Sequence, residues 1–129
     1  MAKALVVDDS RAVRMILGKI LREIGFEVCE AGNGREGLEV FTREREGVTL
    51  VLADWNMPEM NGMELLVELR KDPSLAGLPI VMVTTETELD QMVAALEAGA
   101  NEYVMKPFSK EILVEKLQLA GVAGVRSAA

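Results

Sequence analysis

Asp8 and Asp9 directly follow the apolar run Ala4-Leu5-Val6-Val7, and Asp54 follows Leu50-Val51-Leu52-Ala53. Thr84 and Thr85 close Ile80-Val81-Met82-Val83, and Lys106-Pro107 closes Tyr103-Val104-Met105. Three carboxylates brought to one place repel one another, so together they either raise a carboxyl pKa or recruit a divalent cation. A hard ion such as Mg²⁺, with Mn²⁺ as its substitute, takes oxygen ligands and keeps several waters, and a few carboxylates plus a backbone carbonyl can complete its shell. Lys106 adds a second positive charge. A dication and an ammonium around a carboxylate and a hydroxyl make a site for an incoming phosphoryl group, whose transfer needs charge neutralisation and in-line positioning more than proton chemistry.

No histidine occurs among the 129 residues. That excludes Ser-His-Asp and Cys-His nucleophiles, His-ligated zinc, haem on a proximal His, and a phosphohistidine carried by the chain itself. Chemistry here falls to carboxylates, hydroxyls and amines. Lys and Arg total 14 against 21 Asp and Glu, a net charge of −7 that opposes attraction to a phosphate backbone or an anionic leaflet. Nucleic acid is not an expected partner. The first apolar stretch runs into Asp8-Asp9 before reaching the length of a secretory core, and no segment approaches about 18 uncharged apolar residues, so the expectation is a cytoplasmic protein without membrane insertion. Cys29, a lone thiol in Glu27-Val28-Cys29-Glu30-Ala31, reads as a small core residue without a role.

The elements that must position these groups follow from periodicity. Short runs rich in Val, Ile and Leu near residues 4–8, 27–31, 49–53, 79–84 and 102–105 predict five strands, each except the last followed by a longer stretch with helical spacing. In the first helix Val13, Ile16, Leu17, Ile20, Leu21 and Ile24 form the packing stripe, between Ser10 as N-cap and Gly25 as stop. Asn33 with Glu36, and Asn61 with Glu64, have capping-box spacing at the next two starts. The second helix buries Leu38 and Phe41 and ends by Gly47. The third carries Met63, Leu65, Leu66 and Leu69 and ends at Asp72-Pro73. Thr87 is the expected cap of the fourth, which carries Leu89, Met92, Val93 and Leu96 through about Glu97. Ser109 caps the fifth, with Leu113, Leu117 and Ala120 inward.

Strands alternating with helices imply βαβ units, a parallel sheet and helices on both faces. The fold class is α/β, a doubly wound (βα)5 sheet. Ligands of such sheets bind outside the carboxyl ends of the strands, where the strand order reverses. The second strand ends without an ionisable group, in Ala31-Gly32-Asn33, which marks it as an edge and predicts the order 2-1-3-4-5, flavodoxin-like. One domain over 1–129 is expected, with its core in 3–120 and a frayed tail at 121–129.

Four stretches in this order resemble the receiver domain of two-component response regulators, and within it the single-domain CheY-like chemotaxis type. They are Val6-Val7-Asp8-Asp9-Ser10, Asp54-Trp55-Asn56-Met57-Pro58-Glu59-Met60-Asn61-Gly62, Val83-Thr84, and Tyr103-Val104-Met105-Lys106-Pro107-Phe108. The resemblance spans residues 3–120. It implies that Asp54 accepts a phosphoryl group from the phosphohistidine of a sensor histidine kinase. Asp8 and Asp9 would hold Mg²⁺ with Asp54 and the backbone carbonyl of Asn56, and Lys106, beside a cis bond to Pro107, would pair with the phosphoryl oxygens. Thr84 would swing inward, and Tyr103 would follow it from exposed to buried, altering the surface of the fourth helix, fifth strand and fifth helix. Asn56 and Glu86 would flank the path of hydrolytic water. Thr85 stands where the family usually carries Ala or Gly, adding bulk beside the site.

No DNA-binding or catalytic segment follows residue 120, so output by binding is expected, from a monomer or weak dimer. Ile112 and Leu119, seven residues apart with Lys116 between them, form a small apolar and basic face on the fifth helix. The resemblance implies a flagellar switch or other motility component as target, while a phosphorelay shuttle or kinase-feedback receiver would use the same parts. A Mg²⁺-dependent phosphohydrolase is the rival from another class. Against it, Asp54-Trp55-Asn56 lacks a second acidic residue two places on, and no cap domain is present to enclose a substrate.

Overall fold

The computed structural model describes residues 2–85 and 87–122. The strands are β1 (Lys3–Val7), β2 (Glu27–Ala31), β3 (Val48–Ala53), β4 (Ile80–Thr84) and β5 (Glu102–Met105). They alternate with α1 (Arg11–Glu23), α2 (Gly34–Glu44), α3 (Gly62–Arg70), α4 (Leu89–Glu97) and α5 (Lys110–Leu119), and a short 3₁₀ turn, Pro73–Leu75, follows α3. All pairings are parallel and the order is β2-β1-β3-β4-β5, as expected.

Side-chain alternation along the strands divides the core in two. Leu5, Val7, Val51, Ala53, Ile80 and Met82 face one side, where they meet Val40 and Phe41 of α2, Leu65, Leu66 and Leu69 of α3 and Ala95 of α4. Ala4, Val6, Leu50, Leu52, Val81 and Val83 face the other, against Leu17, Ile20 and Leu21 of α1 and Leu113 and Leu117 of α5. Strands covered on both faces must be apolar there, which is why residues 4–7, 50–53 and 80–83 are unbroken hydrophobic runs while β2, at the edge, carries Glu27 and Glu30.

Helix starts obey local capping chemistry at four of five sites. Ser10, Asn33, Asn61 and Ser109 each accept a backbone N–H through their side chains. The box at Asn61 is complete, because Glu64 reaches back to the Asn61 N–H at 3.0 Å. At α2 the Glu36 carboxylate turns instead to the Gly32 N–H. The start of α4 differs from expectation: Glu88, not Thr87, is the N-cap, and it makes no side-chain capping bond. Two apolar stripes also differ. Ile16 of α1 is exposed, because the packed face centres on Leu17, Gly18 and Leu21. On α4 the small Ala95 meets the sheet, leaving Leu89, 70% exposed, with Val93 and Leu96 facing out.

Gly121 and Val122, expected in the tail, instead finish α5. The Val122 N–H donates to Leu117 O and the Gly121 N–H to Gln118 O. Gly121 holds φ of +79°, and Val122 is buried against the α5 side of the core. This is a Schellman closure, in which glycine takes the left-handed position at low cost. Residues 123–129 lie outside the described residues.

Two polar networks brace the end of the sheet remote from the strand carboxyl ends. The Arg70 guanidinium donates to Gly99 O, Leu75 O, Leu78 O and Asn101 Oδ1, tying α3 to the entrances of β4 and β5. Burial lowers its pKa. Asp72 accepts from Arg45 Nη2 at 2.6 Å and from the hydroxyl and N–H of Ser74. Those bonds, Ser74 first, hold its carboxyl at about 2. An acid depressed in the folded state stabilises the fold above its unfolded value of 3.8 and ceases to do so as pH falls through about 2. Asp72→Ala is therefore expected to lower Tm at pH 6, with the gap from wild type closing as thermal scans move from pH 4 to pH 2. A gap independent of pH would refute the assignment.

Candidate functional site

β1 and β3 are neighbours with Val7 opposite Ala53, so the residues that follow, Asp8 and Asp54, emerge side by side. The Asp54 N–H donates to Val7 O and the Asp8 N–H to Ala31 O, each at 3.0 Å, so both backbones are fixed to the adjoining strand. One oxygen each of Asp8, Asp9 and Asp54 lies within 4.8 Å of the other two. Asp8 and Asp54 are buried, at 1% and 7% exposure, whereas Asp9 is exposed.

Lys106 reaches the cluster from the far side. It follows β5, its N–H donates to Thr84 O, and the peptide bond to Pro107 is cis. Its Nζ donates to Asp8 Oδ2 at 2.7 Å and to Asp54 Oδ2 at 3.2 Å. Asp8 Oδ1 accepts the Ser10 N–H at 2.8 Å, which couples the cap of α1 to the site. Asp54 Oδ1 is different, being buried with no hydrogen-bond partner among the described residues. Anionic oxygen left unpaired in a protein interior is unfavourable unless something else binds it. A convergent set of oxygens with one orphaned atom fits a hard dication, and Asp8, Asp9 and Asp54 are the side chains placed to hold it.

The electrostatics point the same way. Burial raises the Asp8 pKa, with Asp54 adding to the rise and Lys106 opposing it. Burial pulls the Lys106 ammonium down, but its contacts with Asp8 and Asp54 outweigh that and leave it raised. The ammonium is held in its charged form, while ionising its partner Asp8 costs the fold.

Thr84 is fully buried at the end of β4, and Thr85 and Asn56 are exposed at the rim. Glu86 lies outside the described residues. Tyr103, expected to begin exposed, is already buried at 5% exposure, because it faces the α3–α4 side of the sheet beside its register partner Met82. On α5, Ile112 and Leu119 are exposed, and Lys116 donates to Glu102 Oε1 at 3.3 Å. The exposed α4 residues Leu89, Val93 and Leu96 extend the apolar surface on the other side of β5.

Two contributors were not anticipated from the residue types. Arg14 donates through Nη1 to Asp8 O at 2.6 Å and through Nε to Glu30 Oε1 at 3.0 Å, bracing the acidic turn against the edge strand. Gly62 packs so tightly on the Asp54 carbonyl that a Cβ there would overlap the oxygen. A glycine eight places after the central aspartate was the visible signal for the second; nothing in the sequence marked the first.

Residues 4–118 match the family described as the response regulator receiver domain. The chain belongs to that family. Among curated relatives, a CheY homologue of Campylobacter jejuni is 44% identical over 117 residues, covering 90% of this chain and 89% of the relative. Chemotaxis protein CheY1 of Helicobacter pylori is 42% identical, covering 91% and 94%. Among solved structures, CheY4 of Vibrio cholerae superposes with a TM-score of 0.84 at 36% identity, covering 93% of this chain and 98% of that one. The chain is thus a CheY-like receiver, a signalling protein by family, and the acidic cluster sits at the carboxyl edge of the receiver sheet. Among the described residues no helix is long and apolar enough to cross a membrane.

Proposed function

We propose that this receiver is a phosphorylation-activated switch in which Asp54 takes a phosphoryl group from the phosphohistidine of a sensor histidine kinase, with Mg²⁺ held by Asp8, Asp9, Asp54 and the Asn56 carbonyl. The observation that carries the reading is Lys106 Nζ bridging Asp8 and Asp54 while Asp54 Oδ1 has no partner of its own. A carboxylate oxygen of Asp54 bonds to phosphorus, the phosphorus–nitrogen bond breaks, and the donor imidazole keeps the electron pair and takes up a proton. The cation supplies charge neutralisation for the phosphoryl oxygens. Lys106 pairs with those same oxygens and Thr84 adds a hydroxyl donor.

An aspartyl phosphate carries close to two negative charges where the Asp54 carboxylate carried one, beside the buried Asp8, so it changes which contacts the surrounding residues prefer. Moving a population from 1:99 to 99:1 takes about 5.5 kcal/mol of differential interaction, within reach of several charge-assisted bonds. The surface that responds is that of α4, β5 and α5, where Leu89, Val93, Ile112 and Leu119 are exposed and Lys116 is tied to Glu102. A motility component such as a flagellar switch is the proposed target.

Trp55 adjoins Asp54 and packs against the core, so its emission reports on the site. Addition of Mg²⁺ and then of acetyl phosphate is expected to change that emission in two steps, with one phosphoryl adduct by intact mass, and none in Asp54→Ala. An undiminished adduct in that variant would defeat the assignment of Asp54. Repeated turnover of unrelated phosphomonoesters would replace the switch by a phosphohydrolase.

A further inference from the structure

The chain leaves β3 at Asp54 and re-enters helix at Gly62, and this acceptor loop is gripped at two places. At its neck the Gly62 N–H donates to Trp55 O at 2.9 Å, and the glycine abuts the Asp54 carbonyl. At its tip it meets the N-terminus of α2. The Gly34 N–H donates to Met60 O at 2.9 Å, a Cβ on Gly34 would collide with that oxygen, and Asn33 Nδ2 donates to Glu59 Oε2 at 3.2 Å. Between the grips the Met60 N–H donates back to Pro58 O at 2.8 Å across Glu59, whose φ is +65°. A three-residue turn with a left-handed centre is strained for a residue with a long side chain. Such strain persists only where its surroundings over-determine it, and it concentrates at functional sites.

We propose that Asn33 and Gly34, at the head of α2, are positioning residues for metal binding. By holding the strained turn at Glu59 they fix residues 56–58, and with them the Asn56 backbone that joins Asp8, Asp9 and Asp54. The inference rests on the metal-site reading of that cluster and extends it to an element that contributes no ligand. Supporting interactions one step removed from a metal's ligands govern affinity by orienting them.

Asn33 divides its duties between two atoms. Oδ1 accepts the Glu36 N–H at 2.8 Å and caps α2, while Nδ2 holds Glu59. Asn33→Asp keeps the cap, deletes the donor and sets one carboxylate against another. Its added negative charge alone would draw Mg²⁺ in more tightly. The expected result is the opposite: the apparent Kd for Mg²⁺, read from Trp55 emission, rises about tenfold. Adding Glu59→Gln should return it to within about twofold of wild type, because the new amide donates to the new carboxylate. Gly34→Ala should loosen Mg²⁺ at least as much, and the cap-preserving Asn33→Asp keeps the test decisive if that variant does not fold. An unchanged Kd in Asn33→Asp, or a loosening that Glu59→Gln does not relieve, overturns the proposal. If Asp9→Asn abolishes the Mg²⁺ response while Asn33→Asp leaves it intact, only the clamp fails. A wild-type chain with no Mg²⁺ response removes the metal site as well.

Discussion

In Lys106→Ala, phosphoryl uptake from acetyl phosphate at saturating Mg²⁺ is expected to fall by about 10²–10³-fold, the loss typical when a preorganised donor to developing charge is removed. The metal-free chain is expected to lose about 3–5 kcal/mol of stability, because deleting one partner of a buried ion pair strands the other. Both effects come from one atom. Lys106 Nζ is the only cation that the described residues place on the carboxylates of Asp8 and Asp54, and Asp8 is 1% exposed, so water cannot take its place. Mg²⁺ should restore much of the stability, since a dication also neutralises the carboxylates, but not the rate, since the phosphoryl oxygens still lack their ammonium. Urea denaturation with and without Mg²⁺ measures the first effect and intact-mass time courses measure the second. Uptake within about fivefold of wild type would remove Lys106 from the transfer step. Unchanged metal-free stability would show that the carboxylates are hydrated.

Much of this site was legible because its rules are local or topological. Asp8, Asp54, Thr84 and Lys106 each follow an apolar run, and a parallel sheet delivers all such residues to one edge. Ser10, Asn33, Asn61 and Ser109 were recognisable because an N-cap bonds a backbone N–H two or three residues away. The failures have a common origin too. Leu89, Val93 and Leu96 form a real helical face, but periodicity records that a face exists, not whether the protein covers it, and the contact of α4 is made by Ala95. Thr87 lies in the polar run before α4, where either of two residues can begin the helix. The exposed start for Tyr103 came from the resemblance alone, and no local pattern in β5 sets how deep its ring lies beside Met82.

What stayed hidden depends on approach between distant segments. Arg70 meets Asn101 and Gly99 about thirty positions on, and Glu59 meets Asn33 across two loops. No window of sequence contains both halves of either contact. Gly34 looks like an ordinary helix-start glycine, and only the apposed carbonyl of Met60 explains why a methyl group is excluded. The chemistry-bearing side chains were therefore visible before the residues that hold them in place.

Asp8→Asn should separate what the cluster does for folding from what it does for binding. Burial raises the Asp8 pKa, so the folded chain holds that proton more tightly than the unfolded chain does. Below the unfolded value of 3.8 both forms are protonated and the group is neutral in its effect. As pH rises above 3.8 the unfolded chain gives up its proton first and the fold loses stability progressively, until the higher folded value is passed. The amide mimics the protonated form at every pH, and Lys106 retains Asp54 as its partner at 3.2 Å. Without Mg²⁺, Asp8→Asn is thus expected to melt above wild type at pH 7, with the difference shrinking toward acid as wild-type Asp8 takes up its proton. A variant that melts lower at pH 7, or a difference that ignores pH, would contradict the burial argument. With Mg²⁺ the order should reverse. The variant should bind the ion about 10–100-fold more weakly, so at cation concentrations between the two Kd values wild type gains stability while the variant gains little. The site is then one in which a buried carboxylate weakens the empty fold and a bound cation makes up the difference, so that the stability gained on adding Mg²⁺ must fall with metal affinity across the series Asp8→Asn, Asp9→Asn and Asn33→Asp.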